Sequence, residues 1–297
     1  MSDVPTDAIL ADPRPASTVV VLRDSAGGPE AFMVRRHEGN AFMGGAHVFP
    51  GGRVDAADRD SDDSWCDGIA HAVRQLPDLA PADAVAYHVA AARELFEEAG
   101  VLLARDASGR MVSLAGPGAH DPFIRDRMDV HGGATLRSVV AREGLRLALD
   151  ALVLFAHWVT PPVDTRRFDT RFFMTRVPPG QTPVHDDTET TAGVWLTPAA
   201  AIAKAVAEEI VLPTPTWVTL RELEPFASVE QALAWARQRR VIRRLPRIVV
   251  DADGQGDRRI LVLPGDPLHP DAAGEGPFAE TRYVFAAGRW RPERAPA

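Results

Sequence analysis

Two kinds of apolar pattern divide the chain into predicted strands and predicted helices. Short runs rich in β-branched and aromatic residues, bounded by glycine and proline turns, predict strands at 17–23, 31–36, 152–159, 168–177, 192–196, 248–250, 260–262 and 283–286. Apolar residues at helical spacing predict a helix that ends at Gly100, which we call the central helix, and others at 65–76, 121–129, 134–143, 199–209, 218–224 and 229–238. Because strands precede and follow the central helix, the pattern predicts an α/β protein, a mixed β-sheet with helices on its faces.

The central helix carries three acidic residues on one side. At 100° per residue, Glu94, Glu97 and Glu98 fall within an arc of about 100°. The opposite side is apolar and consists of Val85, Val89, Ala92, Phe96 and Ala99. The glutamates lie in the last turns of the helix, where its dipole disfavours negative charge, and Glu94 and Glu98 repel each other across one turn. A divalent cation would reverse these effects, since Mg²⁺ binds carboxylate oxygens and phosphates together. The alternative is an acidic helix face exposed to solvent.

The residues around this arc form a motif. Within residues 45–58, a short apolar run predicts a strand that ends at Pro50-Gly51-Gly52, and Asp58 follows six residues after Gly52. Residues 93–101 read Arg-Glu-Leu-Phe-Glu-Glu-Ala-Gly-Val. Residues 93–101 match in full the second half of the box of the Nudix hydrolases, Arg-Glu-U-x-Glu-Glu-x-Gly-U with U aliphatic, so the chain resembles this superfamily. The first half differs, because Asp58 stands where the box has Glu, and 34 residues instead of seven separate it from Arg93. The sequence leaves open whether Asp58 replaces that Glu.

An insertion therefore divides the box, and we assign residues 59–80 to it. A divided box preceded by Gly-Ala-His-Val-Phe-Pro-Gly-Gly resembles the peroxisomal acyl-coenzyme A diphosphatase branch of the superfamily and its bacterial relatives. The resemblance implies a Nudix-type α/β/α sandwich over residues 1–225, followed by a C-terminal extension at 226–297. We expect the extension to pack on the same domain or to form a homodimer contact. The insertion is either a lid or wall of the substrate site or a surface embellishment, and Asp83 after it is the expected N-cap of the central helix.

The resemblance also implies roles for the box residues. Two or more Mg²⁺ or Mn²⁺ ions would be held by Glu94, Glu97, Glu98 and the backbone carbonyl of Gly51, and they would lower the pKa of a bound water that attacks a diphosphate. By the family pattern, Glu94 is the leading candidate for the general base that takes the proton of this water. Arg93 is expected to orient Glu97 or a neighbouring carboxylate rather than to touch the substrate.

Further candidates lie outside the box. Glu189 precedes a predicted strand and is a candidate for the additional carboxylate that Nudix enzymes often supply from a loop, whereas the alternative for its segment is an ordinary turn. Arg35 and Arg36 alternate along a predicted strand, so one of them faces solvent or the cleft, where a guanidinium fork suits a substrate phosphate. A surface salt bridge is the commoner role of such a residue. The same two alternatives apply to Arg166, Arg167 and Arg171.

Composition limits the partners and the compartment. The chain has 297 residues, 45% of them hydrophobic, and a formal net charge of −8, which argues against a general nucleic-acid binder. No run of 18 apolar residues suggests a membrane span, and the N-terminus lacks the pattern of a secretory signal. Cys66 is the single cysteine, so no internal disulfide forms. We expect a cytoplasmic protein that acts on a small-molecule nucleoside diphosphate, without a nucleic-acid or membrane partner.

Three functions fit the sequence. The first is metal-dependent hydrolysis of coenzyme A or acyl-coenzyme A to 4′-phosphopantetheine, or its acyl form, and adenosine 3′,5′-bisphosphate. The second is hydrolysis of another nucleoside diphosphate derivative such as ADP-ribose or NADH. The third is a binding or regulatory role on a Nudix scaffold with impaired catalysis, which the divided box and Asp58 would permit. A signature often associated with coenzyme A diphosphatases has Arg at the position of Ala41, so the motif alone does not select the substrate.

Overall fold

The computed structural model describes residues 12–39, 43–113, 127, 130, 133–186, 190–252, 257–271, 280–286 and 289–293. The strands of these residues, in chain order, are β1 (Arg14–Ser25), β2 (Gly28–Arg36), β3 (His47–Val48), β4 (Gly51–Arg53), β5 (Cys66–Asp67), β6 (Ala104–Arg105), β7 (Arg146–Ala148), β8 (Val153–Val159), β9 (Phe168–Arg176), β10 (Thr190–Leu196), β11 (Arg243–Arg244), β12 (Arg247–Ala252), β13 (Asp257–Val262), β14 (Arg282–Ala286) and β15 (Arg289–Glu293). The helices are α1 (Ile69–Gln75), α2 (Pro81–Ala99), α3 (Leu136–Arg142), α4 (Pro198–Val206), α5 (Thr214–Leu223) and α6 (Val229–Gln238). Among these helices, none combines the length and apolar composition needed to cross a bilayer.

Strand β1 lies inside the largest sheet, which has eight strands. The main order is β10-β2-β1-β9-β8-β11, with β3 added to β2 and β4 added to β1. Strand β1 runs antiparallel to β2 and β4 but parallel to β9. Parallel and antiparallel pairs therefore occur in one sheet, which confirms the predicted mixed α/β architecture.

Side chains of the large sheet alternate between two buried clusters. Val19 and Val21 point into the cluster beneath α2, whereas Val20 and Leu22 point into the cluster beneath α4, α5 and α6. This alternation follows from the two-residue period of a strand, and it places helices on both faces of the sheet. The result is the α/β/α sandwich implied by the resemblance.

Helix α2, the central helix, is buried on two sides. One stripe, which includes Tyr87 and Leu95, packs on the large sheet. An adjacent stripe, which includes Val89 and Phe96, packs on a second layer that contains α3 and the small sheet β5-β7-β6. The sequence pattern indicated the second stripe and missed the first. Only a narrow arc of this helix is left for polar side chains, and the glutamates occupy it.

The insertion, residues 59–80, belongs to this second layer and to the core. Trp65, Cys66 and Leu76 are buried, and β5 pairs with β7. The description of this segment as a surface embellishment is therefore wrong. Burial raises the pKa of the Cys66 thiol to about 12, so this cysteine is a packed, unreactive side chain.

The residues after 225 contact the same core. Strand β11 pairs with β8 of the large sheet, and α6 contributes Val229 and Leu233 to the cluster beneath it. Strands β12 to β15 form an antiparallel sheet whose Leu261 and Tyr283 enter that cluster. The domain boundary at 225 stays a prediction.

Most helix and strand predictions are confirmed within a few residues, but two predictions near the box are wrong. The helix predicted at 65–76 begins only at Ile69, because Cys66 and Asp67 form a strand. Asp83 does not cap α2, whose N-cap is Ala80 and whose first residue is the favourable Pro81. The helix predicted at 121–129 lies outside the described residues except for residue 127.

A buried polar cluster joins α1, α2 and the large sheet. The side-chain nitrogen of Gln75 lies 2.7 Å from Nε2 of His71 and 3.0 Å from Nε2 of His88, and it donates to the carbonyl oxygen of Leu152 at 2.9 Å. Nδ1 of His88 lies 2.8 Å from the carbonyl oxygen of Ala84, which can only accept. These partners fit a neutral His88 with its proton on Nδ1. Burial lowers the pKa of this imidazole to about 4.

Acidification should destabilise the protein through His88. Its pKa is 6.5 in the unfolded chain and about 4 in the folded protein, so between these pH values the unfolded chain binds more protons and the free energy of unfolding falls as the pH falls. We expect a loss of about 2 kcal/mol between pH 7.5 and pH 5, measured by urea unfolding. The His88→Gln variant should lack this component, whereas the exposed control His37→Gln should keep it. Identical pH dependence in wild type and His88→Gln would contradict the assignment.

Candidate active site

The guanidinium of Arg93 lies at the centre of a group of carboxylates. Its Nε and Nη2 donate to the two carboxylate oxygens of Asp58, each at 3.0 Å. Its Nη1 donates to Glu94 at 2.8 Å and to Glu97 at 3.2 Å, and Nη2 also donates to the carbonyl oxygen of Arg53 at 2.8 Å. Arg93 thus orients Asp58, Glu94 and Glu97 together. We call Asp58, Arg93, Glu94, Glu97 and Glu98 the box cluster.

Asp58 holds Arg93 through a two-pronged ion pair, and both side chains are buried. Desolvation alone would lower the pKa of Arg93, but hydrogen bonds to Asp58 and the charges of Glu94, Asp58 and Glu97 outweigh it and raise that pKa above its ordinary value. Asp58 also accepts the backbone N–H of Asp55 at 2.8 Å. Its carboxylate is therefore committed to positioning Arg93 and its own loop. The only sequence signal for this contact was its position six residues after Gly52.

Gly51 and Gly52 allow β4 to approach both β1 and α2. A β-carbon at Gly51 would overlap the carbonyl oxygen of Ser17, and one at Gly52 would overlap the carboxylate of Glu94. The N–H of Gly51 donates to Oε2 of Glu98 at 2.9 Å. Glu94 and Glu98, one helical turn apart, therefore meet the same pair of glycines at the start of β4. The expected contact of the Gly51 carbonyl with an ion stays a prediction.

The three glutamates are largely removed from solvent. Glu98 is 5% exposed, and the side chains of Glu94 and Glu97 are 13% and 18% exposed. The alternative of a solvated acidic helix face is therefore wrong. Gly100 ends the helix with a φ of 64°, and the side chain of Arg127 donates to the carbonyl oxygen of Glu97 at 2.8 Å. This second guanidinium stabilises the negative end of the helix dipole, and no local sequence pattern indicated the contact.

The donor set of the box cluster suits a hard divalent cation. The box cluster contains four carboxylates and one guanidinium, so its formal charge is −3. Buried charges require partners or metal ions, and carboxylate oxygens are the ligands that Mg²⁺ prefers. In the present arrangement Glu94 and Glu97 face Arg93, and among the described residues no three His, Cys, Asp or Glu side chains form a group that could hold a metal ion.

The other residues considered from the sequence are not part of the box cluster. Arg35 pairs with Glu38 at 2.6 Å on the surface, whereas Nε of Arg36 is buried without a hydrogen-bond partner among the described residues. His47, opposite Arg35 across the β2–β3 pair, has its pKa lowered by burial and by the charge of Arg35. Arg171 is buried, and it pairs with Asp78 at 2.7 Å and with His157. Glu189 lies outside the described residues.

Comparison with known proteins identifies the family of the chain. The family described as the NUDT19 Nudix domain matches residues 69–223, more than half of the chain. The chain therefore belongs to the Nudix family, as the resemblance implied, and Nudix hydrolases generally use divalent metal ions.

The most informative relatives are two vertebrate enzymes and one bacterial structure. Human acyl-coenzyme A diphosphatase NUDT19 is 34% identical over 285 residues, covering 82% of this chain and 73% of the relative. The chicken protein of the same name is 31% identical over 286 residues, with the same coverage. The crystal structure of a NUDIX hydrolase from Alicyclobacillus acidocaldarius is 28% identical, with a TM-score of 0.61 over 76% of this chain and 97% of that chain.

Removing the charge of Asp58 should destabilise the fold. Asp58→Asn keeps the side-chain shape but deprives Arg93 of its two-pronged partner. We expect a loss of about 3 kcal/mol in urea unfolding, the lower end for a broken buried ion pair because Glu94 and Glu97 still face Arg93.

Asp55→Asn is the matched control. Asp55 lies 3.7 Å from the same guanidinium but is 57% exposed, so its loss should cost less than about 1 kcal/mol. Equal destabilisation by the two variants would contradict the structural role of Asp58.

Proposed function

We propose that this protein is a metal-dependent diphosphatase of coenzyme A and acyl-coenzyme A. The observation that carries the proposal is the meeting of Glu94 and Glu98 at Gly51 and Gly52 of β4, beside a guanidinium that holds Asp58 and Glu97 as well. The names of the human and chicken relatives support the substrate class. Cleavage gives 4′-phosphopantetheine, or its acyl form, and adenosine 3′,5′-bisphosphate.

Residues for metal binding come from the helix arc and the glycine turn. Glu94, Glu97, Glu98 and the carbonyl of Gly51 would hold Mg²⁺ or Mn²⁺, with Glu189 as a further ligand. The chemistry that such ions supply when bound is neutralisation of the diphosphate oxygens and activation of a water molecule. The negative formal charge of the box cluster supports this assignment.

Side chains of the protein position the reactants and accept the proton of the attacking water. Glu94, oriented by Nη1 of Arg93, accepts the proton of the attacking water on its carboxylate. Glu98 is held against β4 by the N–H of Gly51, which fixes the spacing between helix and turn. Arg36 is a better candidate than Arg35 for a substrate phosphate, because Arg35 already pairs with Glu38.

Three further properties stay predictions from the sequence. They are the cytoplasmic location, the absence of nucleic-acid and membrane partners, and the formation of a homodimer through the C-terminal extension.

Product analysis tests the proposed reaction. The protein is incubated with Mg²⁺ or Mn²⁺ and with coenzyme A, acetyl-coenzyme A, ADP-ribose or NADH, and the products are separated by chromatography and identified by mass spectrometry. We expect adenosine 3′,5′-bisphosphate from both coenzyme A compounds. Turnover of ADP-ribose or NADH alone would keep the chemistry and reject the substrate, and no turnover with metal binding intact would favour a binding protein.

The Glu98→Gln variant tests the metal assignment. Gln keeps an oxygen that accepts the N–H of Gly51 but removes the charge, so we expect at least about a 100-fold loss of kcat and weaker Mn²⁺ binding in a calorimetric titration. Glu230→Gln, 70% exposed on α6, is the matched control and should change neither. Unchanged hydrolysis and Mn²⁺ affinity in Glu98→Gln would show that this glutamate holds no metal.

A further inference from the structure

A pocket rich in arginine opens where the start of β1, the end of β4 and the turn before β9 meet. Its volume is 480 Å³, and the residues that line it are Asp12, Arg14, Arg53, Thr165, Arg166, Arg167 and Phe168. Four guanidiniums and one carboxylate give the lining a formal charge of +3. This is a concentrated positive region in a chain whose net charge is −8. We call it the arginine pocket.

The arginine pocket adjoins the box cluster through Arg53. The carbonyl oxygen of Arg53 accepts Nη2 of Arg93 at 2.8 Å, while the residue itself lines the pocket. Arg53 also directly follows Gly52, whose α-carbon lies against the carboxylate of Glu94. Arg53 therefore belongs both to the contacts of the box cluster and to the lining of the pocket.

Three of the four arginines are available to a ligand. Arg14, Arg53 and Arg166 are exposed, and within the described part of the chain their side chains form no ion pair and no hydrogen bond. Arg167 differs, since it is buried, its Nε donates to the carbonyl oxygen of Thr160 at 3.2 Å, and its charge acts on Asp164. Arg167 thus forms a fixed wall of the pocket. The positive charges of Arg14, Arg53 and Arg166 repel one another, and a bound anion would relieve this repulsion.

We infer that the arginine pocket binds a phosphomonoester on the nucleotide half of the substrate, an inference that rests on the proposed function. A phosphomonoester carries close to two negative charges at neutral pH, and guanidinium forks match its oxygens. In coenzyme A this group is the 3′-phosphate, one ribose away from the diphosphate that is cleaved. Phe168 adds an aromatic wall suited to a nucleoside ring. ADP-ribose and NADH have no phosphomonoester, so the pocket selects between the two substrate classes.

The test compares coenzyme A with 3′-dephospho-coenzyme A in wild type and in the double variant Arg14→Gln/Arg166→Gln. Arg53 is left intact so that the substitutions stay outside β4, whose backbone contacts Arg93. The control is Arg240→Gln, an exposed arginine outside the pocket whose side chain has no hydrogen bond or ion pair in the structure's described ranges.

Wild type and Arg240→Gln should prefer coenzyme A by about ten-fold or more in kcat/KM, the size of a charge-assisted hydrogen bond. The double variant should lose about ten-fold on coenzyme A, mainly through KM, and less than two-fold on 3′-dephospho-coenzyme A. Equal turnover of the two substrates by wild type, or an equal loss on both in the double variant, would overturn the inference while leaving the proposed hydrolysis intact.

A binding measurement separates the pocket from catalysis. In metal-free buffer, calorimetry with coenzyme A should show about ten-fold weaker binding to the double variant than to wild type, and 3′-dephospho-coenzyme A should bind both alike. Inorganic phosphate is the third probe. Phosphate binding to the pocket without any preference for coenzyme A over 3′-dephospho-coenzyme A would reveal a free-anion site and reject the substrate assignment. Hydrolysis of neither compound, with the binding preference present, would refute the proposed function alone.

Discussion

The buried ion pair between Asp58 and Arg93 is the interaction on which the box cluster depends. It connects residues 35 positions apart, and the same guanidinium holds Glu94, Glu97 and the carbonyl of Arg53. Because the pair joins the short 3-10 helix Ala56–Arg59 to α2, its geometry does not fix the length of chain between them. The entropy of closing a longer loop grows only slowly, so an insertion of this size is compatible with an unchanged cluster.

The insertion does more than lengthen that loop. It supplies Trp65 and Cys66 to the layer that covers the second side of α2, and Leu76 to the cluster between α2 and the large sheet. It also supplies His71 and Gln75 to the polar cluster around His88. Helix α2 is thereby held between two packed layers, with its glutamates in the gap that remains. Packing on two sides suits side chains that must stay at a fixed distance from Gly51 and Gly52.

Local patterns in the sequence predicted what depends on local geometry. The strand runs, the arc of Glu94, Glu97 and Glu98, and the helix end at Gly100 follow from spacing alone, and the structure confirms them. The burial of that arc, the contact of Arg127 and the partner of Asp58 depend on tertiary packing, so no local pattern indicated them. The arginine pocket is a further example. It forms because sheet register places Arg14 opposite Phe168, which is more than 100 residues away in the sequence, and Ala16 opposite Arg53.

The parallel pairing of β1 with β9 has a consequence for the order in which this molecule can assemble. Arg14 pairs with Phe168 and Leu22 with Arg176, so β1 acquires this parallel partner only after the chain between the two strands has been synthesised. Contacts of such high order slow folding, and domains of this size commonly fold only when their long-range strands are present. The loop and helix that carry the box therefore emerge before the sheet that supports them is complete. We expect the carboxylates to gather around Arg93 late in folding, so that the charged site is built on a finished scaffold.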